Sequence, residues 1–405
     1  MLGRRTSDRA ASVRRSKTGG FGGGHLDRSE LPSPNRYNRW KSWAVLAGAL
    51  LLLAGCATPT EKPQPQEVTD LVWPLPPEQP RIRFLRTLSS KDDVESGRKQ
   101  NLSDILLGKK ELTLDTLRKP YGVHADRDGR VFVADTGWGR LVVFDIPNKS
   151  FTYWGLQGKG LLKKPAGITS DSQGRVYVTD TLEQRVVVYD RDGKFLVAMG
   201  KKGELETPVG IAVNEKLGRV YVVDTRGHQI VVFDMTGTLV KRIGERGSEP
   251  GQFNFPTNLA IDGDGKLYVA DSMNFRVQIL DADGKPLKTF GKVGDARGQF
   301  ARPKGIAVDS DGHIYVVDAA FNNFQIFDQD GQLLMFVGQA GPGPGQFWLP
   351  AGAYIDHQDR LYVADQYNRR IQVFQYLGEP TTQDAQKDAQ PEGDAETGQS
   401  SATRN

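Results

Sequence analysis

Between residues 120 and 375 short apolar runs, each bounded by polar turn residues, recur six times in one fixed order. The clearest run ends in aspartate: Val131 to Asp135, Val176 to Asp180, Val220 to Asp224, Leu267 to Asp271, Ile314 to Asp318 and Leu361 to Asp365. Successive aspartates stand 45, 44, 47, 47 and 47 residues apart. Runs this short, rich in β-branched residues and closed by turn signals, predict strands. A repeat of roughly 40 to 50 residues built from short strands predicts a propeller blade.

The other parts of each copy fill in the blade. It opens on Pro-x-Gly (Pro120 to Gly122, Pro165 to Gly167, Pro208 to Gly210, Pro303 to Gly305, Pro350 to Gly352), with Asn258 in place of glycine after Pro256. Proline ends the incoming loop, and glycine lets another backbone pass close by. A first strand such as Gly305 to Asp309 leads through Asp311-Gly312 into the second, and Asp-Gly between apolar runs is a hairpin signal. A third strand ends at Asp145, Asp190, Asp234, Asp281, Asp328 or Gln375. Fourth strands follow near Phe151 to Trp154, Phe195 to Met199, Leu239 to Ile243, Leu287 to Phe290 and Leu333 to Val337.

Copy six has no fourth strand, because Leu377 runs into Gly378 and a polar tail. The strand-like segment 81–88 lies ahead of the first copy without a partner of its own. The pattern therefore predicts an all-β chain: a six-bladed β-propeller of four-stranded antiparallel blades over residues 81–378, closed by an N-terminal strand that completes the last blade. Closure leaves only short protected edges.

These repeats resemble those of the NHL-repeat family, on Pro303 to Asp309, Leu267 to Asp271 and Arg185 to Asp190. The resemblance spans the six repeats, 120–378. It implies the propeller fold, and it is weak for function because one fold hosts many activities.

The flanks read differently. Arg36, Arg39 and Lys41 precede an apolar run from Trp43 to Ala54 that ends in Leu53-Ala54-Gly55-Cys56. Twelve residues are too few to span a bilayer as a helix, so 36–55 reads as a signal peptide. Its last four residues resemble a bacterial lipobox, which implies cleavage before Cys56 and lipidation of its thiol. Ala57 at the next position favours, by the same resemblance, the periplasmic face of the outer membrane. Residues 1–35 are long, Gly-rich and Arg-rich, and the expected translation start lies after them. A Pro- and Gln-rich stretch, 56–80, is expected to act as an extended tether. An insert at 91–119 is expected to form a short helix and a loop packed on the propeller. The tail 379–405 has no aromatic or large aliphatic residue and is expected to be disordered.

Charge changes meaning once the leader is set aside. Residues 1–55 hold ten Lys or Arg against three Asp or Glu, so the chain's net +4 becomes −3 from residue 56 onward. A basic folded footprint, which nucleic-acid binding requires, is then missing. Cys56 is the single cysteine, which excludes internal disulfides and cysteine-based metal clusters.

A residue type present in every copy reads as scaffold, and departures from the repeat are the better functional candidates. Asp135, Asp180, Asp224, Asp271, Asp318 and Asp365 are scaffold by that filter, with Arg140, Arg185, Arg276 and Arg370 five residues later expected to brace the same loops. The Asp-x-Asp-Gly doublets, such as Asp309 to Gly312, lack the distal ligands of a calcium loop. Some propellers related to the family are lyases with a histidine-bound metal, such as the peptidyl-amidoglycolate lyases. His124, His228, His313 and His357 do not occupy equivalent repeat positions, so no metal, cofactor or catalytic residue is assigned.

What departs from the repeat lies at the loops after strand two and before strand one, which share one face: Tyr121, Trp138, Arg226, His228, Met273, Phe275, Lys304, Phe321, Tyr367 and Arg369. Aromatic and arginine side chains are the composition of binding anchors. The expected function is a monomeric, non-catalytic envelope lipoprotein docking a protein or peptide partner there. The alternatives are a lyase or hydrolase at the channel mouth and a glycan-binding module using Trp138, Phe275, Phe321 and Tyr367.

Overall fold

The computed structural model describes residues 71–95 and 113–378. Six antiparallel sheets follow the six sequence repeats in order. Blade one shows the plan, with strands Pro120–Ala125, Arg130–Asp135, Arg140–Asp145 and Ser150–Trp154 paired in that order. The outer strands Phe195–Met199, Leu239–Ile243, Pro286–Phe290 and Leu333–Val337 complete blades two to five.

Blade six is closed from the other side of the sequence. Its own strands are Ala353–Ile355, Arg360–Asp365 and Arg370–Tyr376, and Ile82–Leu88 pairs with the last of them, Ile82 facing Tyr376 and Leu88 facing Ile371. The sheet has one strand more than the pattern predicts. Val72–Trp73 pairs with Ile82 and Arg83, so the folded region begins within the stretch read as a tether. Trp73 explains the addition, since its ring meets Phe374 edge-on at 5.8 Å. Of the insert, Asp92–Glu95 forms one helical turn, and Asp93 caps it by accepting from the Ser89 and Ser90 amides at 2.6 and 2.8 Å. Leu117 is fully buried beside Leu88 and Val94, whereas Leu114 is exposed. Residues 96–112, the leader with Cys56, the tether up to residue 70 and the tail 379–405 lie outside the described residues.

The core sits between consecutive blades. Phe132 and Val143 of blade one pack with Val178 and Tyr189 of blade two, and Tyr177 and Val188 of blade two pack with Val222 and Phe233 of blade three. Each fully buried large side chain contributes about 1.5–3 kcal/mol of apolar burial. The buried tyrosines also carry a polar handle. Tyr177, Tyr268, Tyr315 and Tyr362 donate to Asp171, Asp262, Asp309 and Asp356 at 2.9–3.0 Å. The same aspartates accept from the backbone two and four residues ahead, as Asp309 does from Asp311 and His313. The acidic hairpins are thus stitched by their own first carboxylate.

Pro-x-Gly closes the ring. A methyl group on Gly352 would stand 2.6 Å from the Tyr121 carbonyl oxygen of blade one, and one on Gly305 would stand 2.5 Å from that of Ala351. On Gly122 and Gly167 it would overlap the carbonyls of Ala166 and Val209 outright. At the five Pro-x-Gly glycines the inner strands approach too closely for a Cβ, and only blade four, with Asn258, carries one there.

Candidate functional site

Turns after strand two and the segments entering strand one emerge at the same end of the ring, and the strand-ending aspartate fixes both. Asp318 accepts from the amides of Ala301 and Arg302 in the incoming segment and from Ala320 and Phe321 in the turn, at 2.8–3.2 Å. All six aspartates are fully buried. Burial pushes the carboxyls of Asp135 and Asp365 upward, while backbone amides and the neighbouring Arg140 or Arg370 pull the other way. Arg276 and Arg370 bond Asp271 and Asp365 directly, each at 2.8 Å. Arg140 and Arg185 instead donate to carbonyls of the incoming segment, Leu114 at 2.5 Å and Leu161 at 2.8 Å. Loops held this firmly present their side chains without a large ordering cost.

The structure separates the ten candidates. Tyr121 of blade one and Lys304 of blade five meet across the intervening blade six, the ammonium 5.7 Å from the ring centre. Tyr367 (55 % exposed), Met273 (53 % exposed) and Arg226 stand out into solvent. Phe321 and Arg369 are half-buried in their turns. Trp138 is wedged, its Nε1 donating to the Thr116 carbonyl at 3.2 Å with Arg118 and Arg140 over its ring. Phe275 packs against the core between blades four and five.

His228 is a correction. It is buried, its Nδ1 accepts from the Phe255 amide at 3.2 Å, and its ring meets that of Phe255 edge-on at 4.4 Å. Its position has positive φ in every blade (Gly139, Gln184, His228, Phe275, Asn322, Arg369). Gln184 bonds the Glu206 carbonyl and Asn322 the Leu349 amide in the same way. At Gln184, His228 and Asn322 the position staples one blade to the next, so the departure from the repeat at His228 carries scaffold work.

Four residues of the face escaped the pattern. Trp348 is 59 % exposed and stacks on Tyr367 at 6.3 Å, Phe255 is partly exposed, and Lys119 lies 5.9 Å from the Tyr367 ring centre. Arg302 stands beside Lys304, whose pKa is lowered to about 8 by burial and by repulsion from Arg302 and Lys119. The two residues before each proline were the available signal, because Arg118-Lys119, Glu206-Thr207 and Trp348-Leu349 share no common type.

The opposite mouth holds the other buried histidine. His124 Nε2 lies 2.7 Å from Ser170 Oγ, the ring packs at a tilt against Tyr354 with centres 4.2 Å apart, and both border a cleft of about 290 Å³ with His357 and Asp171. Burial lowers its pKa to about 3, against a weaker pull from Asp356. The unfolded chain therefore binds a proton near pH 6.5 that the folded one refuses, and stability falls as pH drops below that value. His124→Thr, the blade-two residue, removes this share. Between pH 7 and pH 5 the urea-denaturation gap between wild type and variant shifts by about 2 kcal/mol toward the variant; an unchanged gap would contradict a neutral buried ring. Among the described residues, no three His, Cys, Asp or Glu are grouped to hold a metal ion.

A family model described as a 6-bladed beta-propeller matches residues 209–290 and 304–385. The fold is a six-bladed β-propeller. Solved structures agree on that architecture. A protein of unknown function from Bacteroides thetaiotaomicron is 20 % identical with a TM-score of 0.53, covering 73 % of this chain and 75 % of its own. A streptogramin B lyase is 15 % identical with a TM-score of 0.51, covering 65 % and 96 %. A catalytically inactive virginiamycin B lyase from Staphylococcus aureus with quinupristin is 14 % identical with a TM-score of 0.51, covering 66 % and 99 %. Identities this low carry the propeller and none of its neighbours' activities. No curated protein matches the chain.

Proposed function

We propose that this propeller, whose repeats resemble NHL repeats, is a non-catalytic binding module that docks a protein or peptide partner on its loop face, with Cys56 lipidated to hold it at the periplasmic face of the outer membrane. The observation that carries the reading is the convergence of exposed Trp348, Tyr367 and Met273 on one rigid face. They arise from blades four and six, yet they flank one mouth, with Tyr121 and Lys304 at its centre. Large amphipathic side chains on a preorganised surface are what binding anchors require. No helix among the described residues is long and apolar enough to cross a membrane, and the proposed anchor, Cys56, lies outside them.

Affinity capture from detergent-solubilised envelope tests this. The lipidated protein is compared with a version carrying Trp348→Ala, Tyr367→Ala and Met273→Ala. All three side chains are more than half exposed, so the fold should tolerate their loss. A partner recovered by the first and lost at least tenfold by the second is the expected result. Equal recovery would remove the loop face as the docking surface.

A further inference from the structure

The loop-face mouth is strongly cationic on a molecule that is otherwise acidic. Counting the two residues before each Pro-x-Gly proline and the one after it, the six blades supply Arg118, Lys119, Lys163, Lys164, Arg302 and Lys304 against a single acid, Glu206. Chain direction sends the Asp-x-Asp-Gly hairpins to the opposite end, so the charge is polarised along the axis. Residues 71–378 carry 40 Lys or Arg against 37 Asp or Glu, so the +5 gathered at this mouth exceeds the net +3 of the whole region and marks a local feature rather than a general one.

At its centre, among the described residues, no exposed carboxylate pairs with Lys119, Arg302 or Lys304. Lys304 feels repulsion from Arg302 and Lys119, and no carboxylate offsets it. Asp135 and Asp318 lie beneath but are fully buried, their oxygens committed to the backbone amides of Lys119 and Arg302. The ammoniums are steered by ring faces, Lys304 by Tyr121 at 5.7 Å and Lys119 by Tyr367 at 5.9 Å. Like charges gathered on a fixed frame without counter-charge are stabilised by an anion brought from outside.

We infer that the mouth seats a carboxylate-rich segment of the docked protein, its acidic side chains paired with Lys119, Arg302 and Lys304 while Trp348 and Tyr367 cover its apolar stems. This rests on the docking reading and adds the chemistry of the partner. The basic patch is compact and the acidic hairpins lie at the opposite end of the ring, which suits a short acidic peptide segment better than an extended polyphosphate strand that would overrun the patch.

The test uses fluorescence anisotropy on the full chain with three labelled probes: a 20-residue polyglutamate, a 20-residue polyglutamine, and a 20-nucleotide oligo-dT. Polyglutamate is expected to bind at 50 mM salt and to weaken as salt rises, because exposed ion pairs are screened. Lys119→Gln, Arg302→Gln and Lys304→Gln together should weaken it at least about tenfold. The control Lys194→Gln with Lys285→Gln, both exposed on the opposite end, should leave it unchanged. Equal binding of polyglutamine, equal binding by the triple variant, or binding of oligo-dT in place of polyglutamate would each overturn the inference. Matching thermal melts for the variants confirm that the fold is intact. If the triple variant still captures a partner that the aromatic variant loses, the docking reading stands and the acidic-segment inference falls.

Discussion

Gly167→Ala is expected to melt roughly 6–12 °C below the unaltered protein, a loss of about 3 kcal/mol or more. The added methyl would overlap the Val209 carbonyl, and that carbonyl cannot retreat. Thr179 Oγ1 donates to it at 2.8 Å and accepts from the Gly167 amide at 2.7 Å, tying strand one of blade two to strand one of blade three. Relief would need the two blades to part, which exposes core along their whole seam. Gly263→Ala is the control, since nothing lies within 4 Å of a methyl group there. Its effect should stay within about 0.5 kcal/mol. Thermal unfolding followed by circular dichroism separates the two, and equal melting points would mean that inner-strand proximity does not limit the fold.

Ile82→Asp should release the closing strand. Ile82 is fully buried in an apolar cluster with Phe324, Phe347 and Phe374. An uncompensated buried charge costs about 3–5 kcal/mol. Detaching Ile82–Leu88 is the simplest escape, and it would leave Arg370–Tyr376 as a naked edge. Hydrogen exchange over residues 371–376 should then accelerate at least a hundredfold, a factor worth about 2.7 kcal/mol. Leu85→Asp, on the outward side of the same strand and 42 % exposed, should leave that protection in place. Unaltered exchange in Ile82→Asp would show that blade six holds without its N-terminal strand.

The blades were legible in the sequence because every one repeats the same physical solution. An apolar run ending in a buried Asp, a hairpin aspartate and a glycine at the inner crossing each have one local cause that recurs at fixed spacing. Closure by residues 81–88 was legible too, as a strand without a partner facing a blade without a strand. Val72–Trp73 was hidden because Pro74, Pro76 and Pro77 give its surroundings the composition of a linker, and two residues carry no periodicity. His228 was misassigned for a different reason. A position defined by its backbone conformation accepts several side chains, so variation there looks like function. The cationic mouth was invisible for a third: Lys119, Arg302 and Lys304 are up to 185 residues apart, and only closing the ring makes them neighbours.

The seam in blade six has a further meaning. The Leu377 amide bonds the Arg81 carbonyl at 2.9 Å, so the polypeptide enters and leaves the ring at one spot. Covalent continuity around the circle is interrupted there, between Ile82–Leu88 and Arg370–Tyr376 of blade six, and hydrogen bonds replace it. Which blade comes first is then a matter of genetic order that the folded object does not register. A load applied through the entering and leaving segments would fall on that one seam, sparing the six blade-to-blade connections that the chain itself makes.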